Sequence, residues 1–101
     1  MITRMWRGEV LTARAGEYLD YLKGTGLADY ASIPGNRGVT VLTREFDDRT
    51  EFLIMTQWDS WEAIRAFAGD DPQIARYYPE DDDFLLSRNK HVKHYETAYT
   101  S

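Results

Sequence analysis

The side chains with the clearest capacity for chemistry in this sequence are its aromatic rings and its two histidines. The 101 residues include 7 Tyr, 4 Phe and 3 Trp, whereas Cys is absent. A chain without Cys has no thiolate nucleophile, no disulfide and no thiolate zinc site. His91 and His94 lie three positions apart in a segment that reads as a strand, so their side chains face opposite sides and cannot hold one metal ion together. We therefore expect no metal site, and the remaining candidate chemistry is that of an imidazole base beside aromatic side chains.

The charge balance excludes several classes of partner. The chain carries 17 acidic and 12 basic residues, which gives a formal net charge of −5. Binding to nucleic acid or to an anionic membrane surface requires clustered Lys and Arg, so we expect neither partner. The first residues lack the apolar core of a signal peptide, and no apolar run of about 18 residues occurs that would cross a membrane. The expected location is the cytoplasm.

The length predicts one domain, residues 1–101, because domains typically hold about 100–150 residues. A chain of this size buries only about two-thirds of the surface that its unfolded form exposes. So small a core has little room for both its aromatic rings and a cavity. Association with a second copy of the chain would provide additional burial.

Four strands are predicted from the hydrophobic pattern. Residues 2–11 alternate between two faces, and residues 39–44 are rich in β-branched side chains. Residues 51–58 carry apolar side chains on both faces, and a turn at 47–49 joins them to the preceding strand. Residues 91–97 form the last strand.

Two helices are predicted between these strands. Apolar residues recur at helical spacing from Ala15 to Leu22, with Thr12 as the expected N-cap. The second helix follows Asp59, which is placed to form a capping box with Glu62, and Gly69 is expected to end it.

A third, shorter helix is expected from Pro72 to Pro79, because Pro is favoured at the first helical position and cannot continue a helix. An acidic loop at 80–83 and a short extended piece at 84–86 would follow. Neither segment has the Gly and distal Glu of a calcium-binding loop.

The element order is that of a repeated split β-α-β unit. It predicts an α+β, ferredoxin-like fold with a four-stranded antiparallel sheet and both main helices on one face. The strand at 51–58 is apolar on its other face as well, and a large exposed apolar face is an association site. We therefore expect a homodimer in which two sheets pack face to face.

The sequence also resembles a known family along essentially its whole length. The segments that carry the resemblance are PGNRG at 34–38, QWDSWEAIRAFAG at 57–69, ARYYPEDDDFLL at 75–86 and HYE at 94–96. They resemble the antibiotic biosynthesis monooxygenase (ABM) domains of the dimeric α+β barrel superfamily. The resemblance implies a homodimeric barrel and, as in the characterised enzymes, oxygenation of phenolic or anthrone-like aromatics without flavin, metal or haem.

Such an oxygenase needs an apolar slot, a base and donors that hold a developing phenolate. His94 is the candidate base, since it belongs to the matching segment on the last strand, and Glu96 shares its face and could orient it. Arg4 is a further candidate donor. The candidate substrate-binding residues are Trp6, Tyr18, Trp58, Trp61, Arg65, Phe67 and Tyr77. No cofactor is expected, and the expected ligand is a small aromatic or hydrophobic molecule.

Other interpretations of the same residues remain open. Trp61 and Phe67 have the helical spacing of core residues, and His94 has the alternative role of a structural histidine. The chain could therefore be a non-catalytic dimeric barrel that binds a small hydrophobic ligand, or an isomerase or cyclase with His94 as its base. Haem degradation fits poorly, because neither His lies on a predicted helix and the first strand lacks the Asn of those enzymes.

Overall fold

The computed structural model describes residues 1–75 and 77–101, so that Arg76 lies outside the described residues. A short 3-10 helix at Thr12–Arg14 precedes the first α-helix. In chain order the elements are β1 (Ile2–Leu11), α1 (Ala15–Gly24), α2 (Gly26–Ala31), β2 (Asn36–Phe46), β3 (Arg49–Trp58), α3 (Trp61–Ala68), α4 (Asp81–Phe84), β4 (Ser87–Arg88) and β5 (Lys93–Glu96).

The strands form one antiparallel sheet in the order β2-β3-β1-β4, and β5 also pairs with β1. β1 therefore lies in the centre, with β3 on one side and both β4 and β5 along its other edge. This arrangement confirms the ferredoxin-like fold. The predicted four-stranded sheet has five strands among the described residues, because residues 89–92 interrupt the final strand and divide it into β4 and β5.

One face of the sheet carries the core. Along β1 the even-numbered side chains from Ile2 to Val10 are buried, whereas the odd-numbered ones are only half-buried. Phe52, Ile54 and Trp58 of β3 lie on the same face and join a single hydrophobic cluster. The helices supply Tyr18, Leu22, Tyr30, Ile64 and Phe67 to that cluster. The prediction that the helices cover one face is therefore confirmed.

On the other face of the sheet, the described residues form no covering layer. Leu42 of β2 and Tyr95 of β5 are 45% and 50% exposed there, and Leu53 and Met55 of β3 are half-buried. In the register of the sheet Leu42 is opposite Leu53, and Tyr95 is opposite Thr3. This apolar strip, which we call the open face, runs across the sheet opposite the helices.

The helix predicted from Pro72 to Pro79 is wrong for the residues that the structure describes. Instead of helical bonds, the Ala75 N–H donates to the Lys90 carbonyl at 2.9 Å, and Ile74 forms an isolated bridge with His91. These bonds to residues distant in sequence override the local signal from Pro72. The predicted acidic loop is also wrong, because Asp81–Phe84 form α4, and carboxylates are favourable in the first turn of a helix.

The predicted helix caps are also corrected. Ser60 caps α3, where its side chain accepts the Ala63 N–H at 3.2 Å. Asp59, one residue earlier, instead accepts from the Arg37 guanidinium at 2.8 Å. Thr12 does not cap α1, since its hydroxyl is bonded to that of Thr50 at 2.9 Å.

Candidate functional site

A small cavity lies between the helices and the covered face of the sheet. Its volume is about 40 Å³, and its lining includes four of the residues predicted from the sequence, Trp6, Tyr18, Phe67 and Tyr77. An apolar cavity that binds benzene has a volume of about 150 Å³. The cavity as it stands therefore has room for a few water-sized groups, and a ring would enter only if a wall moved.

Tyr77 connects this cavity to the edge of the sheet. Its hydroxyl accepts from the Trp6 indole Nε1 at 2.7 Å and donates to the backbone carbonyl of Asn89. The two rings meet edge to face, with centroids 6.1 Å apart. Burial raises the pKa of the Tyr77 phenol, so that it stays neutral near pH 7. Tyr77 is thus held between the wall formed by Trp6 and the backbone at Asn89.

Arg4 places a guanidinium in the cavity wall. The residue is 3% exposed, and its Cζ lies 5.5 Å from the centre of the Phe67 ring, within range of a cation–π interaction. Its Nε and Nη2 have no hydrogen-bond partner among the described residues. Burial lowers the pKa of Arg4, while interactions with Tyr30 act in the opposite direction. An arginine nevertheless stays protonated at neutral pH.

His94 lies beside Arg4 but outside the cavity lining. The two residues are opposite each other in the pairing of β1 with β5. The His94 ring lies 4.9 Å from that of Trp61, and its buried Nε2 has no hydrogen-bond partner among the described residues. Burial, together with the charge of Arg4, lowers the pKa of His94. No hydrogen bond joins it to Glu96 in the described part of the chain, so the expected orienting contact is not formed.

The other predicted binding residues are not part of the cavity lining. Trp58 is fully buried in the core, and its indole Nε1 donates to the Thr56 hydroxyl at 2.8 Å. Trp61 is half-buried at the start of α3, with the Arg65 guanidinium 5.9 Å from its ring. The predicted site residues thus fall into three places. Some line the cavity, Trp58 lies in the core, and the others lie around His94 and Trp61. Ligand binding itself is not tested by these placements, so the site residues stay predictions.

Sequence reasoning gave too little weight to three residues of the cavity wall. Arg4, Tyr30 and Asp81 all line the cavity. A signal for Arg4 was present, because it is a charged residue on the inward face of an otherwise apolar alternation in β1. Asp81 belongs to an acidic run that reads as solvated, yet it is 4% exposed and accepts the Tyr78 N–H at 2.7 Å. Only the tertiary fold reveals that burial.

The side chains of the cavity do not fit a haem. The described residues contain no group of His, Cys, Asp or Glu placed to hold a metal ion. Neither His belongs to a helix, and at the cavity wall α3 presents Phe67, whose ring cannot ligate iron. The described cavity residues therefore support no reaction step that uses haem.

The fold is that of antibiotic biosynthesis monooxygenase domain proteins. A protein from Bacillus cereus named as an antibiotic biosynthesis monooxygenase superposes with a TM-score of 0.69 at 15% identity, over 99% of this chain and 93% of its own. A similarly named protein from Nitrosomonas europaea gives 0.67 at 17% identity, over 98% of this chain and 100% of its own. The haem degrader MhuD from Mycobacterium tuberculosis, which has two haems bound in its active site, gives 0.60 at 18% identity, over 100% and 99% of the two chains.

No protein-family model matches the sequence, and no curated protein matches it. At these identities the structural similarity establishes the monooxygenase-like fold. Within the described residues, no helix is long and apolar enough to span a membrane.

Proposed function

We propose that the chain is a cofactor-independent monooxygenase that acts on a small aromatic molecule of the quinol or anthrone type. The observation that carries this proposal is the cavity between helices and sheet, where aromatic walls meet the buried guanidinium of Arg4. Aromatic walls suit a flat ring, and a fixed cation suits the negative charge that such a ring develops when it loses a proton. The fold shared with ABM domain proteins supports the same conclusion.

In this reaction the substrate is its own reductant. A base removes a proton from the phenol or from the CH₂ group of an anthrone, and the resulting carbanion or phenolate gives an electron to O₂. For an anthrone, one oxygen atom of O₂ becomes the new carbonyl oxygen, and the other leaves as water with the two hydrogens of the CH₂ group. The protein has to bind the ring, hold the developing anion and accept the first proton.

His94 is the proposed base. Because burial and the Arg4 charge lower its pKa below the usual 6.5, the imidazole is neutral and able to accept a proton near pH 7. Among the described residues, the His94 Nε2 has no hydrogen-bond partner, which leaves that atom available to accept a proton. Because His94 does not line the cavity, whereas its neighbour Arg4 does, a ligand in the cavity has to displace part of this wall to reach the imidazole.

The homodimer through the open face belongs to the same proposal. The open face carries an apolar strip that no element among the described residues covers, formed by Leu42, Leu53, Met55 and Tyr95. Packing of two such faces would bury the strip and form a barrel around a twofold axis. The cytoplasmic location stays a prediction from the sequence.

Oxygen uptake tests the reaction. We expect the wild-type protein to accelerate O₂ consumption with members of a panel of anthrones and hydroquinones above their spontaneous oxidation. His94→Gln should lower that rate by about 10²-fold or more, as for the loss of a general base. Exposed His91, three residues away, gives the matched control, and His91→Gln should retain the wild-type rate.

The pH profile provides a second readout of the same role. A base must be deprotonated to act, so kcat/KM should rise with pH and reach a plateau, with an apparent pKa below 6.5. The His94→Gln variant should not show this rise. Two results would contradict the catalytic role of His94. One is O₂ uptake that does not depend on His94, and the other is no O₂ uptake with ligands that still bind. The second of these results would instead support the non-catalytic binding barrel.

A further inference from the structure

The guanidinium of Arg4 is a buried cation for which the described part of the chain provides no anionic partner. Arg4 lines the cavity at 3% exposure, and two of its three nitrogens lack a hydrogen-bond partner there. None of the ion pairs among the described residues includes Arg4. An unpaired buried charge is unfavourable for folding. Its presence in a cavity wall indicates a group that binds it from within the cavity.

The one carboxylate in the same lining does not neutralise this charge. Asp81 accepts the Tyr78 N–H at 2.7 Å, and the charged groups that act on it are Arg88, Asp82 and Glu80. The groups that face Arg4 are the Phe67 ring, the phenols of Tyr30 and Tyr77, and His94. Aromatic rings and phenols ordinarily carry no negative charge at neutral pH, and an imidazole is neutral or positive. The electrostatic field of these described groups at this end of the cavity is therefore positive.

Resting on the proposed function, we propose that the cavity, once its wall has moved to admit the ring, selects its aromatic ligand as an oxyanion, with Arg4 binding the ionised oxygen of a phenol or enol. The O–H bond of the ligand breaks, its proton passes to the base proposed above or to solvent, and the electron pair stays on the oxygen that faces Nε and Nη2. A charge-assisted hydrogen bond of this kind is stronger in the low-dielectric interior of a protein than in water. Arg4 thereby determines which ligands bind and the pH at which they ionise.

The test uses 4-nitrophenol, because its absorbance reports directly whether the bound phenol is ionised. With the wild-type protein, we expect the bound phenol to ionise at a pH at least about one unit lower than in free solution, which corresponds to about tenfold tighter binding of the anion. Nitrobenzene has the same ring and nitro group without the ionisable oxygen, and calorimetry should show weaker binding of this neutral molecule.

Arg4→Met removes the charge and retains an unbranched apolar side chain in the wall. Binding of 4-nitrophenolate should weaken by about tenfold or more, and the change in its ionisation should disappear. Arg37→Met is the matched control, because Arg37 lies on the surface paired with Asp59 and its loss leaves the cavity unchanged. If Arg4→Met fails to fold by circular dichroism, Arg4→Gln provides a polar, uncharged replacement for the same measurement.

Three results would overturn this assignment. They are no binding of 4-nitrophenol to the wild type, equal binding by the wild type and the folded Arg4 variant, and binding of nitrobenzene as tight as that of the phenolate. The experiment requires no turnover. Arg4-dependent phenolate binding without O₂ consumption would therefore contradict the oxygenase while supporting the oxyanion site, and the two proposals fail separately.

Discussion

Gly8 is the residue whose lack of a side chain most directly allows the cavity wall to form. It lies two positions after Trp6 on the same face of β1, and its backbone passes directly beside the indole. A Cβ at this position would lie 2.8 Å from Cζ2 of Trp6 and 3.0 Å from Cδ2 of Leu85. Any larger residue would therefore push the Trp6 ring out of its position against Tyr77.

Gly8→Ala should destabilise the protein by about 1–3 kcal/mol, as overpacking does in a dense core. We also expect a change in tryptophan fluorescence, since the displaced indole loses its bond to the Tyr77 hydroxyl. Urea unfolding measures the free energy of unfolding. Gly16→Ala is the matched control, because no atom lies within 4 Å of a Cβ built there, and its stability should be unchanged or slightly higher. Equal stability of the two variants would contradict the contact with Trp6.

The aromatic residues show how far the sequence predicts a site. Trp6, Tyr18, Phe67 and Tyr77 could be predicted as cavity residues because rings at inward positions either fill a core or line it. Periodicity does not distinguish these two roles, so it also selected Trp58, whose indole is satisfied by Thr56 within the core. The sequence offers Arg4 as a candidate donor, but only the three-dimensional fold shows that it is buried without an ion-pair partner among the described residues.

Among the elements, α3 illustrates how one hydrogen bond determines a helix start. Ser60 has extended backbone dihedrals and accepts the Ala63 N–H, whereas Asp59 points its carboxylate at Arg37. Both residue types are good N-caps, and the sequence alone does not show which one the chain uses.

Ser60→Ala should lower the free energy of unfolding by about 1 kcal/mol, the usual cost of losing an N-cap. Asp59→Ala removes an exposed ion pair and should change the midpoint of thermal unfolding little. Thermal and urea unfolding of the two variants side by side checks the assignment. A larger loss for Asp59→Ala than for Ser60→Ala would restore Asp59 as the cap.

The strands and the helices at the centre of the fold were predictable because each satisfies its own pattern locally. Alternation marks β1 and β3, while helical spacing marks α1 and α3. The segment that follows α3 was not predictable in this way, since its backbone hydrogen bonds go to residues 90–92, which are distant in sequence. Local propensity carries no information about such partners. Pro72 therefore predicts the start of a helix, and the described residues that follow it form none before α4.

Tyr77 provides a side-chain link between this segment and two other parts of the fold, Trp6 of β1 and the backbone at Asn89. Tyr77→Phe removes the hydroxyl that joins the Trp6 indole to the Asn89 carbonyl, so both groups lose this hydrogen-bond partner. The free energy of unfolding should fall by about 1–3 kcal/mol. Hydrogen exchange should accelerate at the amides of Ala75 and Val92 before it does in β3. Tyr99→Phe, at an 85% exposed position, should leave exchange unchanged. Uniform acceleration across the whole sheet would contradict a local role for the hydroxyl.

At the scale of the whole molecule, the open face makes a prediction about assembly. If two sheets pack face to face, light scattering should give twice the 11.8 kDa mass of one chain. Leu42→Asp would place a carboxylate in the apolar interface and should weaken association by at least about tenfold. Ile74→Asp is the control, since Ile74 is similarly exposed at 44% but lies outside the sheet. A monomeric wild type, or equal weakening by both variants, would contradict the sheet-face dimer.

The interruption between β4 and β5 has a kinetic consequence for whatever occupies the cavity. Where the last strand leaves β1, its backbone turns to the segment after α3: Lys90 accepts from Ala75, Val92 donates to Gln73, and Asn89 accepts from the Tyr77 hydroxyl. Tyr77 and Val92 also line the cavity, so these bonds to the final edge hold one part of its wall. Fraying of the carboxyl-terminal edge at residues 89–92 would loosen this part of the wall, so we expect ligand exchange to become faster when that edge opens.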